Sequence, residues 1–304
     1  MYKKFTKIGI VGIGMVGGAV QRYFERKKEV ELFLYDKGKN IGSPQEINKS
    51  EIVFICVPTP YLKEEKGPAL SSSKEPALSS PKGFDLSYVE ETLSWLKGDP
   101  PSPKASEGRG KVVVLKSTVL PGTTEMLQKK YPQHKLLMNP EFLTEETADQ
   151  DMLYPDRQVI GYTKKSHTIA GDVMQLLPLA PFERILPATE AEMVKYFGNT
   201  WFSVKVSFAN QMYDLCQKLG IDYDRMVEAA AADKRIGRTH LNIFHKGYRG
   251  YGGKCLPKDI KALIQLADKK GVDLKLHKIA EEINNKLMKD QKIDDPEKFS
   301  KRES

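Results

Sequence analysis

Short, almost wholly apolar runs alternate with segments of helical periodicity through the first part of the chain. Lys7–Val11, Leu32–Tyr35, Glu51–Val57, Lys111–Leu115, Lys135–Met138, Arg157–Tyr162 and Glu183–Pro187 each read as a strand of four to seven residues. Apolar runs without strict alternation suit strands buried on both faces. Helical patterns fall between them, through Val20, Tyr23 and Phe24, over Leu86–Leu96, through Met126 and Leu127, and over Ile169–Leu177. Strand and helix in alternation predict a doubly wound α/β sheet, with ligands at the carboxyl ends of its strands. From Thr189 the period becomes helical. Thr189-Glu-Ala-Glu192 reads as a capping box, and the periodicity continues to Leu219, where Gly220 stops it. Roughly thirty residues is long for one globular helix, so this one is expected to span domains or form a dimer interface. Further helices are expected over Asp222–Ala232, Pro257–Asp268 and Leu274–Lys286. The expected division is a sheet domain over 1–188, an all-α domain over 189–289 and a charged tail over 290–304. Pro- and Ser-rich stretches at about 62–83 and 98–110 read as loop insertions.

Composition narrows the function classes. The formal charge of +8 and pI of 9.1 suit an anionic small ligand or simple solubility. The lysines are scattered and interleave with no aromatics, which argues against nucleic acid. Cys56, Cys216 and Cys255 lie far apart and form no disulfide framework or metal motif, which favours a reducing, cytoplasmic setting. Cys56 and Cys216 read as buried and inert. The five histidines show no ligand spacing, so no metal is expected. The apolar run Ile8–Val20 is broken by five glycines and reads as part of the fold rather than a leader. No apolar stretch reaches the length of a membrane span.

Two segments carry chemistry. Gly12-Ile13-Gly14-Met15-Val16-Gly17 follows the first strand at once and opens a helix, and Asp36 ends the second strand nineteen positions after Gly17. This is the spacing of a Rossmann-type dinucleotide-binding unit. Gly12 makes the turn, Gly14 lets backbone approach a pyrophosphate, and Gly17 lets helix pack on strand. Asp36 would accept hydrogen bonds from the adenosine ribose and repel a 2′-phosphate, favouring NAD over NADP. FAD uses the same fingerprint and stays open. The second segment is Gly250–Asp259, where a glycine run delivers Cys255 to a helix start marked by Pro257. A helix N-terminus and the flanking Lys254 and Lys258 favour thiolate, hence a nucleophile, and Asp259 falls on the same helix face. The alternative is a buried structural cysteine.

These motifs coincide in order with those of a known family. The chain resembles the UDP-glucose/GDP-mannose dehydrogenases from roughly Lys7 to Lys286. The likeness runs through Gly12–Gly17, Val57-Pro58-Thr59-Pro60, Ser117-Thr118, Asn139-Pro-Glu141-Phe142-Leu143, Pro155-Asp-Arg157, Lys195-x-x-x-Asn199 and Gly252–Asp259. The resemblance implies that a nucleotide-sugar C6 alcohol is oxidised twice by NAD to a carboxylate, most often UDP-glucose to UDP-glucuronate. It implies that Cys255 attacks the aldehyde and carries a thiohemiacetal and then a thioester. Lys195 and Asn199 are implied to stabilise the oxyanion, Asp259 to organise water, and Glu141 with Thr118 to handle water during hydrolysis. Cofactor contacts are implied for Gly12–Gly17, Asp36, Val57, Pro58, Thr59, Thr118, Glu145 and Lys258. Substrate contacts are implied for Glu141, Phe142, Leu143, Lys195, Asn199, Tyr251 and Gly252, and for Arg235 across a homodimer built on the helix of 189–219. The family pattern continues into a third domain that grips the nucleotide. The expectation here is of a chain without that domain, its role passing to a separate chain or to the dimer. Two other functions fit parts of the pattern, a two-electron β-hydroxyacid-type dehydrogenase and a non-catalytic NAD-binding remnant.

Overall fold

The computed structural model describes residues 4–61, 84–98 and 110–293. The proposed insertion at 62–83, nearly all of that at 98–110 and most of the charged tail lie outside these residues. The chain forms two compact units, Met1–Lys195 and Tyr196–Ser304.

The first unit is built on a seven-stranded sheet. Its elements in order are β1 (Lys7–Val11), α1 (Met15–Glu25), β2 (Glu31–Tyr35), α2 (Pro44–Ile47), β3 (Ile52–Ile55), α3 (Ser87–Trp95), β4 (Val112–Leu115), α4 (Thr123–Lys130), β5 (Lys135–Met138), α5 (Ala148–Leu153), β6 (Arg157–Tyr162), a 3₁₀ turn (His167–Ile169), α6 (Ala170–Leu176) and β7 (Phe182–Pro187). The strand order is β2-β1-β3-β4-β5-β6-β7. The first five strands are mutually parallel, and β6 pairs antiparallel with β5. Chain order reverses between β1 and β3, and a doubly wound sheet offers its ligand crevice at the strand ends beside such a point. The unbroken apolar runs behave as expected. β3 and β4 are buried at every position, because helices cover both faces. β7 is the exposed edge. On α1, Val20 and Phe24 enter the core beside Phe54 of β3, with the Phe24 and Phe54 rings 5.5 Å apart.

Helix α7 (Ala188–Leu219) begins in the first unit and continues into the second. Its start corrects the expected capping box. Thr189 lies inside the helix, and Glu192 does not reach back to it. The Glu192 carboxylate, fully buried, accepts instead from Gly122 N (2.6 Å), Thr124 N (2.7 Å) and Thr124 Oγ1 (2.6 Å) at the N-terminus of α4. The physical reason is local. Gly122, the N-cap of α4, sits at φ +95° and offers no side chain, so a carboxylate from another element satisfies the first-turn amides.

Burial pushes the Glu192 carboxyl up to about 7, against the three donors, with Glu125 adding to the rise. An acid whose pKa is raised on folding stabilises fully below its unfolded value and loses that contribution as pH rises through the folded one. Relative to Glu192→Gln, the wild-type protein should therefore lose stability between about pH 4.5 and 7, by roughly 3 kcal/mol. Urea unfolding of both proteins across that range reads the difference directly. A flat difference would contradict it.

The second unit holds the rest of α7 with α8 (Tyr223–Ala231), a short hairpin of β8 (Phe244–His245) and β9 (Tyr248–Arg249), α9 (Leu256–Lys269) and α10 (Lys275–Asp290). Ala209 and Cys216 of α7 pack with Tyr223, Val227, Leu241 and Ile243. Val206 packs with Tyr251, Ile260, Ile264 and Ala280.

Candidate active site

The glycine loop between β1 and α1 has the geometry a dinucleotide needs. Gly12 lies at φ +88°, and a Cβ there would stand 2.8 Å from the Cys56 backbone. A Cβ on Gly17 would stand 1.8 Å from the Gly12 carbonyl oxygen, so glycine is required for α1 to begin so close to β1. Gly14 faces open space. As N-cap of α1 it has no capping side chain, and the first turn has no acid. Amides in that state favour an anion, and the loop therefore fits a pyrophosphate. Ile13 and Gly17 are buried, Val16 is half-buried, and Met15 is exposed. Asp36 does more than end β2. Its Oδ2 accepts from Ile13 N (2.7 Å) and its Oδ1 from Lys39 N (3.0 Å), so it also fixes the loop. Lys39 Nζ donates to the Ile13 carbonyl (2.6 Å), a contact that no motif in the sequence announced.

Two neighbouring strand ends are joined beside this loop. Ser117 Oγ donates to the Val57 carbonyl (2.7 Å), and Thr59 Oγ1 donates to the Thr118 carbonyl (2.6 Å). The structure thus brings Val57, Pro58, Thr59 and Thr118 together.

Beyond β5 and at the end of this unit lies a buried ionic cluster. Lys195 Nζ is 2.7 Å from Glu141 Oε1, and both side chains are 7% exposed. Glu141 Oε2 accepts from Leu143 N (2.9 Å), which folds the Glu141-Phe142-Leu143 segment onto itself. Burial alone would raise the Glu141 carboxyl, but the Lys195 ammonium, its hydrogen bond, Leu143 N–H and Lys116 together hold it below the ordinary value. Glu141 is therefore ionised near neutrality. The Arg157 guanidinium stacks over the Phe142 ring at 4.0 Å. Glu145 is exposed.

Two further members of this cluster, Lys116 and Asn139, carry no role in the motifs. Lys116, buried, donates to Asn139 Oδ1 (2.6 Å), and Asn139 Nδ2 donates to the Val159 carbonyl (2.9 Å). Burial pulls Lys116 below the ordinary lysine value, with Cys56 and Glu141 opposing and Lys195 adding. The Cys56 thiol, half-buried, is pushed up to about 12 by burial, which Lys116 opposes and Glu141 reinforces. It is protonated and a poor nucleophile. The available signal was a lysine at a strand end before Ser117-Thr118, and Asn139 at the next strand end.

The second unit carries the cysteine. Cys255 is the N-cap of α9, is exposed and is in no disulfide. Leu256 and Pro257 open the helix, as the missing proline N–H allows. The Cys255 carbonyl accepts from Asp259 N (2.9 Å). Asp259 is fully buried. Its Oδ2 accepts from Asn199 Nδ2 (2.6 Å) and its Oδ1 lies 2.5 Å from Lys258 Nζ. Lys258, assigned from the resemblance to the cofactor, is thus paired with Asp259. Tyr251 is a core residue, its backbone clamped by Asn284 in both directions (2.7 and 2.9 Å). Gly250 precedes it at φ +92°, where a Cβ would stand 2.6 Å from Asn284 Oδ1, and Gly252 is half-buried. The exposed Arg235 guanidinium forks onto Asp233 (2.6 and 3.0 Å). Lys195 and Asn199 lie one turn apart on α7. Among the described residues no cluster of three or more His, Cys, Asp or Glu could hold a metal, and no helix is long and apolar enough to cross a membrane.

Fold and site together define a two-part architecture, a doubly wound sheet with a glycine loop of dinucleotide-binding form, followed by helices, one of which opens on an exposed cysteine. Residues 39–177 match the NAD-binding domain of the UDP-glucose/GDP-mannose dehydrogenase family and residues 189–286 match its central domain. The chain belongs to that family and carries its NAD-binding domain. It is 32% identical over 266 residues to a UDP-glucose 6-dehydrogenase of Rickettsia bellii, covering 84% of this chain and 53% of the relative. The chain spans about half the length of the curated relatives it matches. A UDP-glucose dehydrogenase structure from Pyrobaculum islandicum superposes with a TM-score of 0.72 at 27% identity, covering 93% of this chain and 68% of that one. A 3-hydroxyisobutyrate dehydrogenase of Mycobacterium tuberculosis shares the fold, with a TM-score of 0.68 at 13% identity over 94% of this chain and 95% of that one.

Proposed function

We propose that this protein oxidises the C6 alcohol of a nucleotide sugar, UDP-glucose in the first instance, to the carboxylate through a covalent intermediate on Cys255. The observation that carries the proposal is the exposed Cys255 at the N-terminus of α9, four residues before an Asp259 bound to Asn199. The R. bellii and P. islandicum relatives, both UDP-glucose dehydrogenases by name, point to the substrate. NAD, when bound, accepts the hydride lost in each of the two oxidations. Gly12–Gly17 and Asp36 would hold it, with Val57, Pro58, Thr59 and Thr118 beside them.

The chain's own residues supply the rest. Cys255 sulfur bonds to the C6 aldehyde carbon, giving a thiohemiacetal. Loss of the C6 hydrogen as hydride and of the hydroxyl proton leaves a thioester. Water then adds, the carbon–sulfur bond breaks, and carboxylate and free thiol result. The ammonium of Lys195 and the amide of Asn199 would stabilise the oxygen anion at each tetrahedral stage. Glu141, held ionised by Lys195 and Lys116, would take a proton from the hydrolytic water. Asp259, ion-paired with Lys258, would hold Asn199 in orientation.

A homodimer completes the proposal. Helix α7 exposes Phe197 (73%), Trp201 (52%), Phe208 (60%), Leu215 (51%) and Leu219 (63%). Spacings of four and seven place these side chains along one stripe of the helix. The expected occupant is the same stripe of a second copy. A Trp201→Glu, Phe208→Glu protein should sediment as a monomer where the wild-type protein sediments as a dimer. Equal sedimentation of both would remove the interface.

A further inference from the structure

The buried Glu192 belongs to none of the motifs that carry the proposed reaction. It lies one turn before Lys195 on α7, and its three hydrogen bonds all go to the start of α4. Residues 116–122, which link β4 to α4 and bear Thr118, are therefore held at both ends. At the front, Ser117 Oγ binds the Val57 carbonyl and Thr59 Oγ1 binds the Thr118 carbonyl. At the rear, Gly122 N–H and the N–H and hydroxyl of Thr124 bind the Glu192 carboxylate. Nothing local replaces the rear anchor, because Gly122 is a cap without a side chain. Thr124 and Glu192 are 0% exposed. Water therefore cannot easily take over the Thr124 amide if the carboxylate is removed.

We propose that Glu192 is a positioning residue, which caps α4 from α7 and so fixes the Thr118-bearing connection relative to Lys195. The role follows from shared geometry. Glu192 and Lys195 sit on one rigid helical turn, and the connection is tied to that turn by donors to both carboxylate oxygens. Losing the tie leaves the front anchor, so the 57–59 segment and the glycine loop should keep their cofactor-binding form. The inference rests on the proposed oxidation for its effect on turnover, but the anchoring itself does not.

The test uses Glu192→Gln, Glu192→Ala and Thr124→Val in the full chain. Glutamine keeps one acceptor oxygen and faces the remaining donors with an NH₂ group, and Thr124→Val removes only the hydroxyl bond. Hydrogen exchange at the Gly122 and Thr124 amides should accelerate in the order wild type, Gln, Ala. Amides of β1 and β4 should be unchanged. Turnover of UDP-glucose should show kcat reduced by about a hundred-fold in Glu192→Ala and less in Glu192→Gln and Thr124→Val, since small misplacements at a reacting centre have effects of that order. The dissociation constant for NAD, read by titration, should stay within about two-fold of wild type. Unchanged exchange at Gly122 and Thr124 in Glu192→Gln would overturn the inference. So would faster exchange there with kcat unaltered, or a kcat loss that merely tracks the unfolded fraction. Should the wild-type protein release no NADH from any nucleotide sugar, the proposed function fails, while the exchange experiment still decides whether Glu192 is the anchor.

Discussion

Cys255→Ser is expected to lower formation of free carboxylate by about three orders of magnitude or more, since an essential nucleophile acts as a unit with its supporting groups. NAD affinity should be unchanged, because the glycine loop is made by the first unit alone. In the proposed reaction the first oxidation would remove hydride from C6 without needing sulfur, so the variant should still generate the aldehyde. A hydrazine reagent in the assay should trap it, with one NADH formed per trapped molecule. Serine is smaller by one row of the periodic table and far less nucleophilic at neutral pH, and Cys255 is exposed, so the fold should tolerate the change. A serine variant that releases carboxylate at the wild-type rate would show that no covalent intermediate is needed.

Lys195→Met should have the second large effect, and it acts in two ways. It removes a cation proposed to face the developing oxyanion, a loss of about 10²–10³ in kcat. It also strands Glu141, whose side chain is 7% exposed, without its partner at 2.7 Å. Breaking a buried pair by removing one member destabilises by roughly 3–5 kcal/mol. Lys116 already donates to Asn139 Oδ1 (2.6 Å), so it is a poor substitute. The Lys195→Met, Glu141→Gln double variant should recover most of the lost stability in urea unfolding, because no unpaired carboxylate remains. It should not recover turnover. Recovery of both together would assign the pair to the fold alone, and recovery of neither would show that the ion pair is not what holds the segment.

The parts of this architecture that were legible in the sequence are those that follow from local rules. β3 and β4 are covered on both faces, so their apolar runs could hardly be anything else. The glycine loop was legible because steric contact forces its spacing, as at Gly17 against the Gly12 carbonyl. Cys255 could be placed at a helix start because Pro257 has few other positions in a helix. What local rules leave hidden is of two kinds, partners distant in sequence and helices too short to show a period. A capping box was read at Thr189–Glu192, where the carboxylate reaches α4 instead. An N-cap at Ser43, whose Oγ accepts from Glu46 N (3.3 Å), opens α2, which at four residues is too short to show a period. Helix α5, at six residues, is likewise too short to show a period.

The site was legible as a set of residue types and much less as a set of bonds. Asp36 was assigned to a ribose, and the structure adds its grip on Ile13 N–H. Lys258 stands among the implied cofactor contacts, and the structure adds its ion pair with Asp259. Asn139 opens one of the family motifs and Lys116 stands directly before another, yet their hydrogen bond joins two strand ends that only the sheet brings side by side. Such pairings depend on the strand order β3-β4-β5, which no local pattern encodes.

The proposed reaction takes four electrons from each nucleotide sugar, with Cys255 carrying the second oxidation. It is tested most directly by counting NADH formed per UDP-glucose consumed at saturating NAD+, with the product identified by mass. Two NADH per sugar nucleotide are expected, with a product heavier than UDP-glucose by one oxygen and lighter by two hydrogens. One NADH per sugar, with an aldehyde or ketone as the final product, would contradict it.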